Sequence, residues 1–336
     1  MVLLLIQSLI KLANKVNIVL FFVNKKRTSK EVLFMYRFKY LEHLGRFFLP
    51  FYFFLCYNIL IMFTIFFIFS FVLGTIIGSF LNVVAYRYGT AKNLGGRSSC
   101  MACTQQLKWY ELIPVVSYVM LSGKCRTCKS KISAQYPYVE SITGLLFALI
   151  FLKFMPFLEI SPIMFTILFA FFAYIFSILM VVAVYDMRHK MIPDRLVLLF
   201  SGLSFLMLFP MYYFSGASLV SLIVAILAGP ILALPFALLW FFSGGKWIGF
   251  GDAKIALGMG WFLGIAGGIS AVALGFWIGA IVSVFLLLVS KYGKGKTKIT
   301  RNTEIPFAPF LLIGLALVFF FNFDFFYINE LLTYVL

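Results

Sequence analysis

Four aspartates occur in this 336-residue chain: Asp186, Asp194, Asp252 and Asp324. Two of them border long uncharged runs. Asp186 follows residues 162–185 in VAVYDMRHKMIPD, and Asp252 stands in GFGDAK, just before the charge-free residues 255–290. Acids at the edge of such runs are costly and usually functional. Two carboxylates brought together cannot both ionise, so one keeps a proton. The ionised member can take a proton from water while the protonated one polarises a peptide carbonyl. That is peptide hydrolysis without a metal or a covalent intermediate, and Asp186 with Asp252 is the candidate catalytic pair.

The flanking residues fit a supporting role. Gly249 and Gly251 allow the backbone to pass close to a substrate strand or a partner helix, and Lys254 is expected to meet the membrane surface or Asp186. Blander readings exist for each acid. Asp186 beside Arg188 and Lys190 can be a solvated ion pair, and Asp252 can be a helix N-cap. Asp194, after Ile192 and Pro193, reads as such a cap. His189, one turn from Asp186, reads as a surface residue, and Asp324 receives no role.

The second constellation is made of sulfur. Of five cysteines, Cys100, Cys103, Cys125 and Cys128 form CMAC and CRTC pairs separated by 21 residues. Four thiolates in two such pairs suit tetrahedral zinc, whereas two disulfides would need an oxidising compartment. In a loop of about 50 residues with almost no core, a metal would contribute much of the stability. Cys56 lies outside the pattern and reads as an apolar filler.

The elements that must position these groups are membrane helices. The chain is 63% hydrophobic and only 12% charged, against about 25% charged for soluble domains. Several runs reach the ~20 apolar residues of a bilayer span, so an all-α polytopic bundle of about eight transmembrane helices is expected. The spans lie near 61–86, 138–158, 162–185, two within 196–246, two short ones hinged near 264–268, and 305–323. The formal net charge of +17 sits in short loops. That pattern indicates the positive-inside bias and anionic membrane lipids as partners rather than nucleic acid. It also puts the small tetracysteine loop, between helices 1 and 2, in the cytoplasm.

The domain reading follows: 1–60 an N-terminal extension, 61–86 the first span, 87–137 the tetracysteine domain, 138–323 the membrane core and 324–336 a tail. The extension carries nine Lys and Arg that eight spans would leave outside, so translation from Met62 is the favoured reading.

Several stretches together resemble a known family. GSFLNVVAYR (78–87), the two CxxC pairs flanking WYELIPVVSYVMLSGKC, YPYVESITG (136–144), YDMRHKMIPDRL (185–196), GFGDAK (249–254) and IPFAPF (305–310) occur in the order seen in type IV prepilin peptidases. The resemblance covers roughly residues 62–323. It implies an integral membrane aspartic protease of the bacterial inner membrane. Such enzymes cut the basic leader from type IV pilin-like precursors at the cytoplasmic face, and many N-methylate the new terminus with S-adenosylmethionine. It carries the catalytic roles onto Asp186 and Asp252, and zinc binding onto the four cysteines. Thr104, Lys129 and Gln135 depart from the family, which commonly has glycine, glycine and arginine there.

Three alternatives remain at this level. A presenilin-type intramembrane protease also pairs Tyr-Asp with GxGD, but the cysteine loop and IPDRL after the first acid argue against it. A proton-coupled transporter would put the acids near the bilayer midplane, not at span ends. A non-catalytic assembly protein would tolerate Asn at either aspartate.

Overall fold

The computed structural model describes residues 31–90, 95–216, 218–292 and 305–323, with the backbone alone for 31–56, 58, 59, 291 and 292. The expectations about residues 1–30, Asp324, the 324–336 tail and most of the basic loop at 291–301 lie outside the described residues. The chain divides into two units, Met1–Ile65 and Phe66–Leu336, and the second holds both constellations.

Among the described residues the regular structure is helical, apart from two isolated bridges, Ser99↔Gln106 and Lys124↔Lys131. Helix α1 runs Glu31–Arg87 and leads into the cysteine loop, which carries a 3-10 turn at Trp109–Leu112 and the short α2 at Val116–Met120. Then come α3 (Gln135–Ile160), α4 (Pro162–His189), α5 (Asp194–Ser215), α6 (Leu219–Ser243), α7 (Phe250–Tyr292) and α8 (Ala308–Phe321). Six of these helices, among the described residues, are long and apolar enough to cross a membrane.

The difference from eight lies in the last two. Gly264 breaks α7 at φ 74° and ψ −177°, a backbone state that only glycine adopts without cost. Beyond it the chain folds back, because a Cβ at Gly268 would lie 3.7 Å from the Cα of Gly260. In a straight helix those residues would be about 12 Å apart. The first arm, residues 250–263, and the 14-residue α8 each extend only ~21 Å, short of the ~30 Å hydrocarbon core.

Helix α4 is the centre of the bundle: Ile175, Phe176, Ile178, Leu179, Val181 and Val182 are all buried. It starts at a Ser161 cap whose hydroxyl accepts the N–H of Met164, with Pro162 at the first helical position, where a missing N–H costs nothing. Phe154, Phe172, Phe200, Phe262 and Phe319 knit α3, α4, α5, α7 and α8 together. Ring centroids lie 4.6 Å apart for Phe154–Phe172, 5.1 Å for Phe172–Phe319 and 5.9 Å for Phe200–Phe262. Small residues set the α1–α3 contact. A Cβ at Gly74 would meet the Thr143 carbonyl at 2.7 Å, and one at Gly78 the Glu140 Cα at 2.9 Å, the close approach that small-xxx-small spacing permits.

Candidate active site

Asp186 lies in the last turn of α4, and Asp252 in the first turn of α7. Both side chains are buried, at 4% and 6% exposure, and they are close enough for their charges to act on each other. Three elements bring them together. Lys190, at φ 52°, ends α4 and donates its N–H to the Asp186 carbonyl. The extended Ile192–Pro193 step then turns the chain into α5, with Pro193 as its N-cap. Ile192 lies against Gly251, where any Cβ would approach it to 2.7 Å. A larger residue at 251 would therefore push the α7 start away from the turn after Asp186.

The two carboxylates differ in their partners. Asp186 Oδ2 accepts the backbone N–H of Ala308 at 3.2 Å, from the start of α8. Asp252 Oδ1 is buried and has no hydrogen-bond partner. A buried carboxylate oxygen without a donor is costly and marks a place where water or a substrate group belongs.

The blander readings of these acids are not what the fold contains. Asp186 is not a solvated ion pair: it is buried, and Arg188 instead gives its Nε–H to Gln135 Oε1 at 2.9 Å. Asp252 is not the N-cap of α7, since its N–H already donates to the Gly249 carbonyl within the helix's first turn. Asp194 is not a cap either. It follows the Pro193 cap and takes Lys254 Nζ at 2.7 Å. Lys254 thus meets neither Asp186 nor lipid headgroups alone but ties α7 to α5, and its carbonyl accepts the Ser201 hydroxyl at 3.3 Å. Gly249 is exposed, 3.7 Å from Asp252 Oδ2 if given a Cβ. His189 is exposed and stacks on Tyr185 with centroids 4.5 Å apart.

The cysteine sulfurs converge separately. The ligand atoms of Cys100, Cys103, Cys125 and Cys128 all lie within 4.8 Å of one another, and all four residues are free thiols. Cys100 and Cys128 sulfurs are 3.8 Å apart, the edge of a tetrahedron with ~2.3 Å metal–sulfur bonds. Two matching turns build the cluster. The Thr104 and Lys129 N–H groups donate to the Cys100 and Cys125 carbonyls, while the Cys100 and Cys125 N–H groups donate to Gln105 and Ser130. The N–H groups of Cys103 and Ala102, then the Ser130 hydroxyl, draw the Cys100 thiol down to about 6. The Gln105 N–H pulls Cys103 the same way, yet desolvation and the neighbouring sulfurs lift it to about 11. Four thiolates this close repel without a cation, so this donor set fits a soft divalent metal.

Neither Ala308 nor the Asp194–Lys254 pair is marked by the residue pattern. A backbone donor leaves no mark in the side-chain pattern, although IPFAPF brackets it. A lone lysine two residues after an acid gives no indication of which distant carboxylate it will reach.

The comparisons match this layout. The profile of the Bacterial Peptidase A24 N-terminal domain matches residues 72–154, which include all four clustered cysteines. That of the Type IV leader peptidase family matches residues 173–284, which include Asp186 and Asp252. Helix α8 lies beyond both. The prepilin leader peptidase/N-methyltransferase of Bacillus subtilis is 31% identical over 257 residues, 75% of this chain and 93% of that protein. That of Burkholderia pseudomallei is 30% identical, covering 77% and 86%, and that of Myxococcus xanthus 28%, covering 73% and 70%. No solved structure matches the chain. Two buried acids on neighbouring helices, a thiol cluster ahead of them and relatives aligned along most of their length lead to one conclusion: this multi-pass membrane protein is a peptidase that belongs to the type IV leader peptidase family.

Proposed function

We propose that Asp186 and Asp252 are the catalytic pair of a leader peptidase acting on type IV pilin-like precursors. The reaction takes place at the cytoplasmic face of the bacterial inner membrane. The observation that supports this most is the asymmetry of the pair. Two buried carboxylates face each other's charge, one held by the Ala308 N–H and the other with Oδ1 unpartnered. One shared proton lets one carboxylate activate water while the other hydrogen-bonds the scissile carbonyl. Lys254 with Asp194, and Gly251 against Ile192, fix the distance between the two helix ends, while exposed Gly249 leaves the approach open to an extended substrate.

The new N-terminus is then methylated, a step for which S-adenosylmethionine supplies the methyl group. Cys100, Cys103, Cys125 and Cys128 hold a structural zinc ion that ties the two turns of the loop together. Both readings draw on the relatives' shared name and on the donor set.

The test is co-expression with a pilin-like precursor. Asp186→Asn and Asp252→Asn each leave the precursor uncut on a gel while the protein accumulates in the membrane. Normal processing by Asp252→Asn removes the pair from the chemistry.

A further inference from the structure

Within the cysteine loop, residues 109–120 turn large apolar side chains outward. Trp109 is 78% exposed and Met120 79%, and Leu112, Ile113, Val116 and Val119 between them are exposed as well. The 3-10 turn that carries Trp109 packs against α2, which carries Val119 and Met120. Six large apolar residues exposed within one short, folded segment are more than the scattered hydrophobics of an ordinary surface.

A hydrogen bond ties this segment to a helix apolar enough to cross a membrane. The Val115 N–H donates to Glu140 Oε2 at 2.7 Å. Glu140 is 7% exposed and lies in the second turn of α3, a helix apolar enough to cross a membrane. Val115 has φ 60° and ψ −51°, a state that a β-branched residue keeps only when its surroundings impose it. The middle of the segment is therefore pinned beside the first turns of a spanning helix, not held out in solvent. The surrounding charge agrees: residues 87–137 carry eight Lys and Arg against one Glu.

We infer that residues 109–120 lie in the headgroup layer of the leaflet next to Arg87 and Gln135, with Trp109 and Met120 inserted and the basic residues on anionic lipid. Indole side chains favour that layer, and basic groups near it are attracted by its negative potential. The inference goes beyond the peptidase reading and stands without it.

The test uses the full chain in bilayers of phosphatidylcholine and phosphatidylglycerol, with acyl chains brominated near the headgroups. The emission of Trp109 is the difference between the wild type and Trp109→Phe, each checked for metal content so that a misfolded loop is recognised. That difference is expected to be blue-shifted and quenched by bromine. It should lose most of its quenching in Val119→Asp/Met120→Asp, and part of it in phosphatidylcholine alone. Emission typical of indole in water, indifferent to bromine, overturns the inference. So does a blue-shifted emission that bromine leaves untouched, because a second copy or a substrate helix would then be the cover.

Discussion

The sulfur cluster and the carboxylate pair lie in the same chain but are assembled in different ways. Each half of the cluster closes within six residues, from Cys100 to Gln105 and from Cys125 to Ser130. The aspartates are 66 positions apart, and a third helix supplies the donor that holds one of them. A locally closed site can keep its shape while the helices move. A site made from three helix ends depends on every contact that fixes those ends. The contrast predicts which damage stays local.

The largest expected effect separates the two regions outright. Asp186→Asn or Asp252→Asn lowers cleavage about a thousandfold or more and leaves the metal at about one ion per chain. Cys100→Ser does the reverse: the metal is lost, while cleavage falls by less than about tenfold, because a structural ion supports a fold and takes no part in the chemistry. Precursor cleavage and metal content measured on the same preparations decide this. Loss of cleavage equal to that of the aspartate variants would mean that the loop holds the carboxylates in place.

That division also explains what the sequence made legible. The cysteine spacing fixes the cluster, because two CxxC turns leave the sulfurs little freedom. The charge-free runs and basic loops announce a helical membrane protein, and glycines near 264 announce a fold-back that begins at Gly264. The two acids stand out because acids are rare at such boundaries. What holds the acids does not stand out. Ala308 acts through its backbone, and it reaches Asp186 only because α8 packs closely on the second arm of α7. Asp194 looks like a cap by its position and becomes an ion-pair partner because Pro193 takes the cap. Those outcomes belong to packing, which a local pattern does not encode.

The next effect tests the third helix. A Cβ at Gly314 would lie 2.1 Å from the Ala271 carbonyl oxygen, so Gly314→Ala must shift α8 or α7. Overpacking of this kind costs about 1–3 kcal/mol. The shift reaches the α8 start, six residues away, and disturbs the Ala308 donor. A hydrogen bond to a charged group contributes about 1.5–3 kcal/mol, so kcat is expected to fall roughly 10- to 100-fold. KM should stay within about a factor of two, because α8 is asked to hold a carboxylate and not to bind substrate. An unchanged kcat in a protein with normal membrane accumulation would detach α8 from the chemistry.

Smaller still is the clamp between α5 and α7. Lys254 and Asp194 side chains are 24% and 62% exposed, and exposed pairs contribute about 0.2–1 kcal/mol. Lys254→Ala and Asp194→Ala should each lower kcat less than about fivefold. The exchanged pair, Lys254→Asp with Asp194→Lys, should recover most of it, and salt should narrow the difference. A loss of a hundredfold, unrescued by the exchange, would make Lys254 part of the reaction and not a brace.

The smallest effect returns to the cluster. Thr104 and Lys129 sit at φ 56° and 58°, the left-handed region where a side chain costs about 1–2 kcal/mol. Glycine removes that strain but adds about 0.5–1 kcal/mol of chain entropy to be lost on folding. The net gain is therefore between about zero and about 1.5 kcal/mol, and larger at Thr104, whose branched Cβ fits this region worst. Thr104→Gly should slow metal release to a chelator by about two- to fivefold, Lys129→Gly by less, and neither should alter precursor cleavage. If the two slow release equally, the branch at Cβ is not what strains the first turn. If either changes cleavage, the cluster is not as self-contained as its hydrogen bonds make it, and the contrast between the two regions fails from its local side.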